Sequence, residues 1–315
     1  MIQRLVGSEM CIRDRYRRIS LSPDGNYVLI TQIKKPFSYL VTYGRFPSRT
    51  DVYSKDGELV TNLIKSPLIE ELPKGFMSVT DGRRNFSWRA DKPSTIFYVE
   101  ALDGGDPAKN VKYRDEVFQL DAPFNGKGIS LIKTINRFSG IDWGTNDLAI
   151  AYDSWWNTRN RKSYAFNPSN SKTAPKIISD RNYQDVYTDP GNFLKIKNKY
   201  DRNILMNYNG YLYLSGPGYS IDGQFPFIDK VSTVDFKKSR IYQSKYTDKV
   251  ESIRNFDPIT NEITVRIESP KDFPNYYIKN FKNGSLKKIT NLKNPFTDLN
   301  NVYKEKITYY RDDGV

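Results

Sequence analysis

What most restricts the fold of this chain is a unit that returns every roughly 50 to 65 residues: a strand, a turn rich in Asp, Gly or Asn, then a more apolar strand. It opens at Ile19-Ser20-Leu21-Ser22-Pro23-Asp24-Gly25-Asn26-Tyr27-Val28, at Asn85-Phe86-Ser87-Trp88-Arg89-Ala90-Asp91, and at Phe138-Ser139-Gly140-Ile141-Asp142-Trp143-Gly144. Further along each unit, another strand leads towards a second polar turn: Val52-Tyr53-Ser54-Lys55-Asp56-Gly57, Val117-Phe118-Gln119-Leu120 and Ser163-Tyr164-Ala165-Phe166. Later units start near Phe193 and Val250. A unit of this size suits a four-stranded propeller blade with one or two long loops. A two-sheet β-sandwich is the alternative, but its turns come without so long a repeat. The expected class is all-β, a partial β-propeller of about five four-stranded antiparallel blades.

Local patterns agree with that class. Glu262-Ile263-Thr264-Val265-Arg266-Ile267-Glu268 alternates with period two, so Ile263, Val265 and Ile267 face one side. Asn26–Ile30, Thr95–Val99 and Leu148–Tyr152 are more continuously apolar, as strands buried on both faces are. Tyr and Phe, at 23 and 17 copies against 4 Met, fit pleated half-buried surfaces. The best short helical candidate is Leu63–Leu72, bounded by Pro67 and Pro73. Ser22-Pro23-Asp24-Gly25 is a turn in which Pro fixes φ, Asp bonds back to the backbone and Gly takes positive φ.

The residue inventory excludes several chemistries. The chain has no His, so Ser-His-Asp and Cys-His catalysis and His-based metal sites are ruled out within it. Its single cysteine, Cys11, lies in Leu5-Val6-Gly7-Ser8-Glu9-Met10-Cys11-Ile12-Arg13-Asp14. That run reads as an in-frame translation of a transposase adapter, so residues 1–15 are set aside as an artefact. A genuine N-terminal arm is the alternative. No cofactor or metal site is expected. Asp103-Gly104-Gly105-Asp106-Pro107 lacks the later ligands and closing glutamate of a calcium loop and reads as a tight turn. Gly218-Tyr219-Ser220-Ile221-Asp222-Gly223 lacks the second glycine of a nucleophile elbow and has hairpin flanks. Trp155-Trp156 is either an exposed contact on a blade loop or a packing element against a neighbouring blade.

The net charge of +13 comes from scattered doublets such as Lys34-Lys35, Arg83-Arg84 and Lys287-Lys288. Solvated strand faces account for these better than a nucleic-acid site, and no nucleic-acid partner is expected. No apolar run is long enough to span a membrane, and no hydrophobic signal peptide is visible.

Over nearly all its length the sequence resembles the propeller half of bacterial serine peptidases of the prolyl oligopeptidase family, in the glutamyl-endopeptidase-like branch. The landmarks are Ser38-Tyr39-Leu40-Val41-Thr42-Tyr43-Gly44-Arg45-Phe46-Pro47, Phe86-Ser87-Trp88-Arg89, Tyr98 through Pro107, Arg114-Asp115-Glu116-Val117 and Arg137 through Gly144. Arg266-Ile267-Glu268-Ser269-Pro270, Pro274-Asn275-Tyr276-Tyr277 and Ile307 through Val315 complete them. The resemblance implies a propeller over residues 16–303, cut short on its N-terminal side. Residues 304–315 would begin the connection to a missing C-terminal α/β-hydrolase domain. Catalytic Ser, Asp and His belong to that domain, so no catalytic residue is assigned here. The propeller would gate access of a peptide substrate and supply some contacts, in a periplasmic or secreted enzyme. Glutamyl specificity needs positive charge near the cavity, because a carboxylate buried without a partner is strongly disfavoured. Arg45 and Arg114, in landmark loops, are the candidate substrate contacts, with surface or inter-blade ion pairing as the alternative role. The competing functional reading is a freestanding propeller that binds protein without catalysis.

Overall fold

The structure, a computed structural model, describes residues 15–299, 302–303, 305 and 307–314. The segment read as adapter-derived lies outside them except for Arg15. The described chain is built almost wholly from antiparallel strands, interrupted by single 3-10 turns at Tyr43–Arg45 and Thr297–Leu299.

The first sheet runs β1 (Tyr16–Leu21), β2 (Tyr27–Ile33), β3 (Ser48–Ser54), β4 (Leu59–Ser66), each strand beside the next in sequence. The second repeats this with β5 (Arg84–Trp88), β6 (Thr95–Ala101), β7 (Asp115–Asp121) and β8 (Ile129–Thr134). The third does so with β9 (Arg137–Thr145), β10 (Leu148–Trp155), β11 (Asn160–Phe166) and β12 (Lys176–Asn182).

The fourth sheet departs from the pattern. It holds β13 (Asn192–Phe193), β17 (Tyr211–Gly216), β20 (Phe227–Ser232) and β21 (Lys238–Gln243), and β16 (Asn207–Tyr208) joins β17 as a fifth strand. Separate hairpins are formed by β14 (Lys195–Lys197) with β15 (Asn203–Leu205), and by β18 (Tyr219–Ser220) with β19 (Gly223–Gln224). The last sheet returns to four strands in order: β22 (Val250–Asp257), β23 (Glu262–Glu268), β24 (Asn275–Asn280) and β25 (Leu286–Lys288). These meanders are the blades of a β-propeller fold. The chain groups into two compact units, one ending at Thr188 and resuming at Phe193–Leu212, the other made of Asp189–Asn192 and the chain from Tyr213.

Side-chain alternation explains the packing in each unit. In β6, Ile96 and Tyr98 enter a core with Leu29, Val52, Leu63, Phe86, Leu120 and Phe124. The intervening Phe97 and Val99 enter another with Val117, Trp143, Ala149, Ala151 and Tyr164. A strand covered on both faces has no polar side to show, which is why Thr95–Val99 reads as unbroken apolar sequence. In the second unit Ile263, Val265 and Ile267 are buried and their neighbours along β23 are not.

The sequence misleads at Leu63–Leu72. Leu59–Ser66 is β4, pairing with β3 from Tyr53↔Leu59 to Ser48↔Ser66. A helix there would leave β3 without its outer partner and lift Leu63 from the core, and these tertiary demands override a short helical pattern. The turn at Ser22–Gly25 forms as expected: Gly25 N–H donates to Ser22 O (3.0 Å) at φ 75°. Asp24 accepts from Asn26 N (3.1 Å) and from the Ser94 hydroxyl (2.7 Å).

Candidate functional site

In an up-and-down four-stranded sheet, the loop between the second and third strands leaves from the same edge as the link out of the fourth. In the first unit this rule gathers residues 34–47, 67–83, 102–114 and 156–159. Three long connections and one short turn on one edge are where a propeller carries variable chemistry.

One buried arginine fastens these connections. Arg137, the first residue of β9, is 4% exposed. Its Nε donates to Met77 O (3.0 Å) in the 67–83 link. Its Nη1 and Nη2 donate to Asp103 Oδ1 (2.9 Å) and Oδ2 (2.8 Å) in the 102–114 loop. Nη1 also reaches Arg114 O (3.2 Å) and Asp115 Oδ1 (3.0 Å). Arg84 completes the chain of charges by pairing with Asp115 Oδ2, which also accepts from Phe138 N–H (2.8 Å). Burial alone would raise the Asp103 carboxyl, but hydrogen bonds from Arg137 and Arg114 outweigh it and hold the group below its ordinary value.

Two glycines let the loops approach. A Cβ on Gly105 would stand 2.0 Å from Val79 O, and its φ of 79° is one that only glycine adopts without strain. Val79 N–H donates to Gly105 O across the same contact (3.1 Å). A Cβ on Gly75 would meet Pro107 Cγ at 2.8 Å.

The loops enclose two adjoining hollows. A cleft of about 730 Å³ is lined by Arg45, Glu70, Glu71, Lys74, Phe76 and Ser78 among others. A smaller pocket of about 200 Å³ lies between Lys74, Phe76, Met77, Pro107, Ala108 and Trp155. Beside it, Phe76 and Trp156 pack with their rings tilted by 31° and 4.5 Å between centroids, and the Arg159 guanidinium lies 3.7 Å from the Trp156 ring centroid.

The structure separates the two arginines singled out in the sequence. Arg114 pairs with Asp103 Oδ2 (2.9 Å), and its guanidinium lies 4.0 Å from the Trp155 ring centroid. Its charge is thus engaged within the protein. Arg45 ends the 3-10 turn, which is tied to the next loop by Ile69 N–H donating to Arg45 O (3.0 Å). The Arg45 side chain lines the cleft and makes no ion pair among the described residues. The tryptophan pair divides as well: Trp155 is half-buried under Arg114, and Trp156 is 42% exposed.

Sequence reasoning missed Arg137 and the roles of Asp103 and Asp115. One signal was available: Arg84, Asp115 and Arg137 each open a strand, β5, β7 and β9, at the gathered edge. The same reasoning placed Ser220 on a hairpin, and its hydroxyl donates to Gly223 O (3.2 Å) in β18–β19. In the second unit Glu251 is buried and takes hydrogen bonds from Tyr242, from Ser244 Oγ (3.0 Å) and from Lys279 Nζ (3.5 Å). Burial and that carboxylate push the Tyr242 hydroxyl well above its ordinary value. Lys279 there pairs with the Glu251 carboxylate.

No protein-family model matches the chain. Among curated proteins it is similar to a probable glutamyl endopeptidase, chloroplastic, of Oryza sativa subsp. japonica. The two are 33% identical over 317 residues, covering 95% of this chain and 34% of that protein. The Arabidopsis thaliana protein of the same description is 32% identical over 323 residues, covering 95% and 33% respectively. The chain is thus similar, along nearly its whole length, to one part of proteins described as probable glutamyl endopeptidases. It spans about a third of the length of the curated relatives it matches. Among solved structures, the β-propeller domain of the Trilobed protease from Pyrococcus furiosus aligns with 88% of this chain and 70% of its own, at 10% identity and a TM-score of 0.45.

Proposed function

We propose that this chain is the non-catalytic propeller portion of a serine peptidase, gating peptide access to a C-terminal α/β-hydrolase domain and contacting substrate through the cleft lined by Arg45. The observation that carries the reading is 33% identity across 95% of the chain with a protein named as a glutamyl endopeptidase. The absence of any imidazole supports assigning catalysis elsewhere, since a serine hydroxyl needs a base to become a useful nucleophile at neutral pH. Arg45 is the residue assigned to a substrate carboxylate, because it lines the cleft and makes no ion pair among the described residues. Arg114 acts one step back, holding Trp155 in place.

The test has two arms. The chain alone, incubated with a chromogenic glutamyl peptide and a fluorophosphonate probe, is expected to give neither turnover nor labelling. Joined to the remainder of the protein it is expected to cleave after glutamate, with Arg45→Ala lowering kcat/KM for glutamyl over glutaminyl substrates by about tenfold. Stoichiometric labelling of one serine in the chain alone would overturn the non-catalytic assignment. An unchanged glutamyl preference in Arg45→Ala would remove Arg45 from substrate recognition. A reading frame that stops shortly after Val315 would favour the freestanding binding module.

A further inference from the structure

Lys74, Gly75 and Phe76 line both the larger cleft and the smaller pocket, so the two hollows form one groove divided by three residues. Its ends differ in chemistry. At one end stands Arg45, with Lys74 on the divider, neither in an ion pair among the described residues, and with Glu71 exposed and Glu70 held by the Ser38 hydroxyl (2.8 Å). At the other end stand Phe76, Met77, Pro107 and Trp155. Phe76 is 74% exposed beside an exposed Trp156, and aromatic surface gathered in this way marks a place that binds. One lining residue, Trp155, is preorganised, because Asp103 pairs with Arg114 and the Arg114 guanidinium lies 4.0 Å from the Trp155 ring centroid.

We propose that this pocket is a subsite for one apolar side chain of an acidic peptide, whose carboxylate lies at Arg45 and Lys74. A volume of about 200 Å³ is enough for one large apolar side chain. An extended chain advances about 3.3 Å per residue, so a divider of three residues sets the apolar side chain roughly one to three positions from the acid. A second copy of this chain is the less suitable occupant, since a net charge of +13 on each opposes self-association. The proposal rests on the reading of Arg45 as a carboxylate contact.

The full chain is titrated calorimetrically with three capped peptides: acetyl-Ala-Glu-Ala-Leu-Ala-amide, its counterpart with leucine replaced by alanine, and its counterpart with glutamate replaced by glutamine. The leucine peptide is expected to bind about tenfold more tightly than the alanine one, the return on partly burying one leucine side chain. Ala108→Trp fills the pocket from an exposed position without removing any core contact. It is expected to abolish the leucine-to-alanine ratio and leave the glutamate-to-glutamine ratio in place. Equal affinity for the leucine and alanine peptides overturns the proposal, as does a ratio indifferent to Ala108→Trp or no binding at millimolar peptide. A lost glutamate preference with the leucine ratio intact supports the pocket and overturns the role of Arg45 instead. Self-association of the chain that Ala108→Trp removes would give the pocket to a second copy and overturn the peptide assignment.

Discussion

Arg137 is expected to be the least replaceable side chain of the first unit. Arg137→Met keeps much of the volume but leaves Asp103 and Asp115, both buried, short of a cation, and removing one partner of a buried charge network costs about 3–5 kcal/mol. Urea unfolding at neutral pH measures it through a lowered midpoint at unchanged slope. The pH dependence has a definite sign. The folded-state value of Asp103 is below its ordinary 3.8, so the stabilisation is complete above that pH and drains away as pH falls through the folded value. In Arg137→Met the main cause of the depression is gone. The difference between wild type and variant is therefore expected to shrink at pH 3 relative to pH 7; a gap of equal size at both would show that charge pairing is not what Arg137 contributes.

At the scale of elements, the sequence announced what is local and concealed what is not. The turns at Ser22–Gly25 and Lys55–Gly57 and the alternation in Glu262–Glu268 were readable because a turn or a half-buried strand is decided by its own few residues. The strand at Leu59–Ser66 was not, because its conformation is set by β3. The added strand β16 and the separate hairpin β14–β15 likewise depend on pairing that no short window records. In the groove, loop positions were legible, but the difference between Arg45 and Arg114 was not. It depends on Asp103, at the other end of Arg114's own loop, and on Trp155, in a different sheet. The stitch at Gly105 provides an element-scale test. Gly105→Ala must force Val79 away, since its Cβ would sit 2.0 Å from that carbonyl. The expected result is a protein that keeps its strand signal in far-ultraviolet circular dichroism and loses at least about tenfold in affinity for the leucine peptide. Retained affinity would show that the two loops set the groove independently.

For the whole molecule, the ion-pair cluster bears on the order in which the chain is made. Synthesis delivers Asp103 and Asp115 before Arg137, and β8 is finished at Thr134 with that arginine still to come. Each acid then has one arginine from its own sheet, Arg114 or Arg84, but Asp115 Oδ1 lacks its donor and Asp103 Oδ1 has only the Gly105 N–H. The face carrying Phe97, Val99 and Val117 is also bare until Trp143, Ala149 and Ala151 arrive to cover it. The second blade therefore cannot mature when its own last strand leaves the ribosome; it waits for β9 and β10 of the third. A nascent polypeptide stopped at Thr134 is expected to be cut by protease within β6 and β7, and one stopped at Asn182 to be protected there. Protection already complete at Thr134 would show that the second blade closes without its neighbour. A ribosomal pause inside that interval would hold the acids and the bare apolar face exposed together, making it the stretch of translation in which a chaperone matters most to this chain.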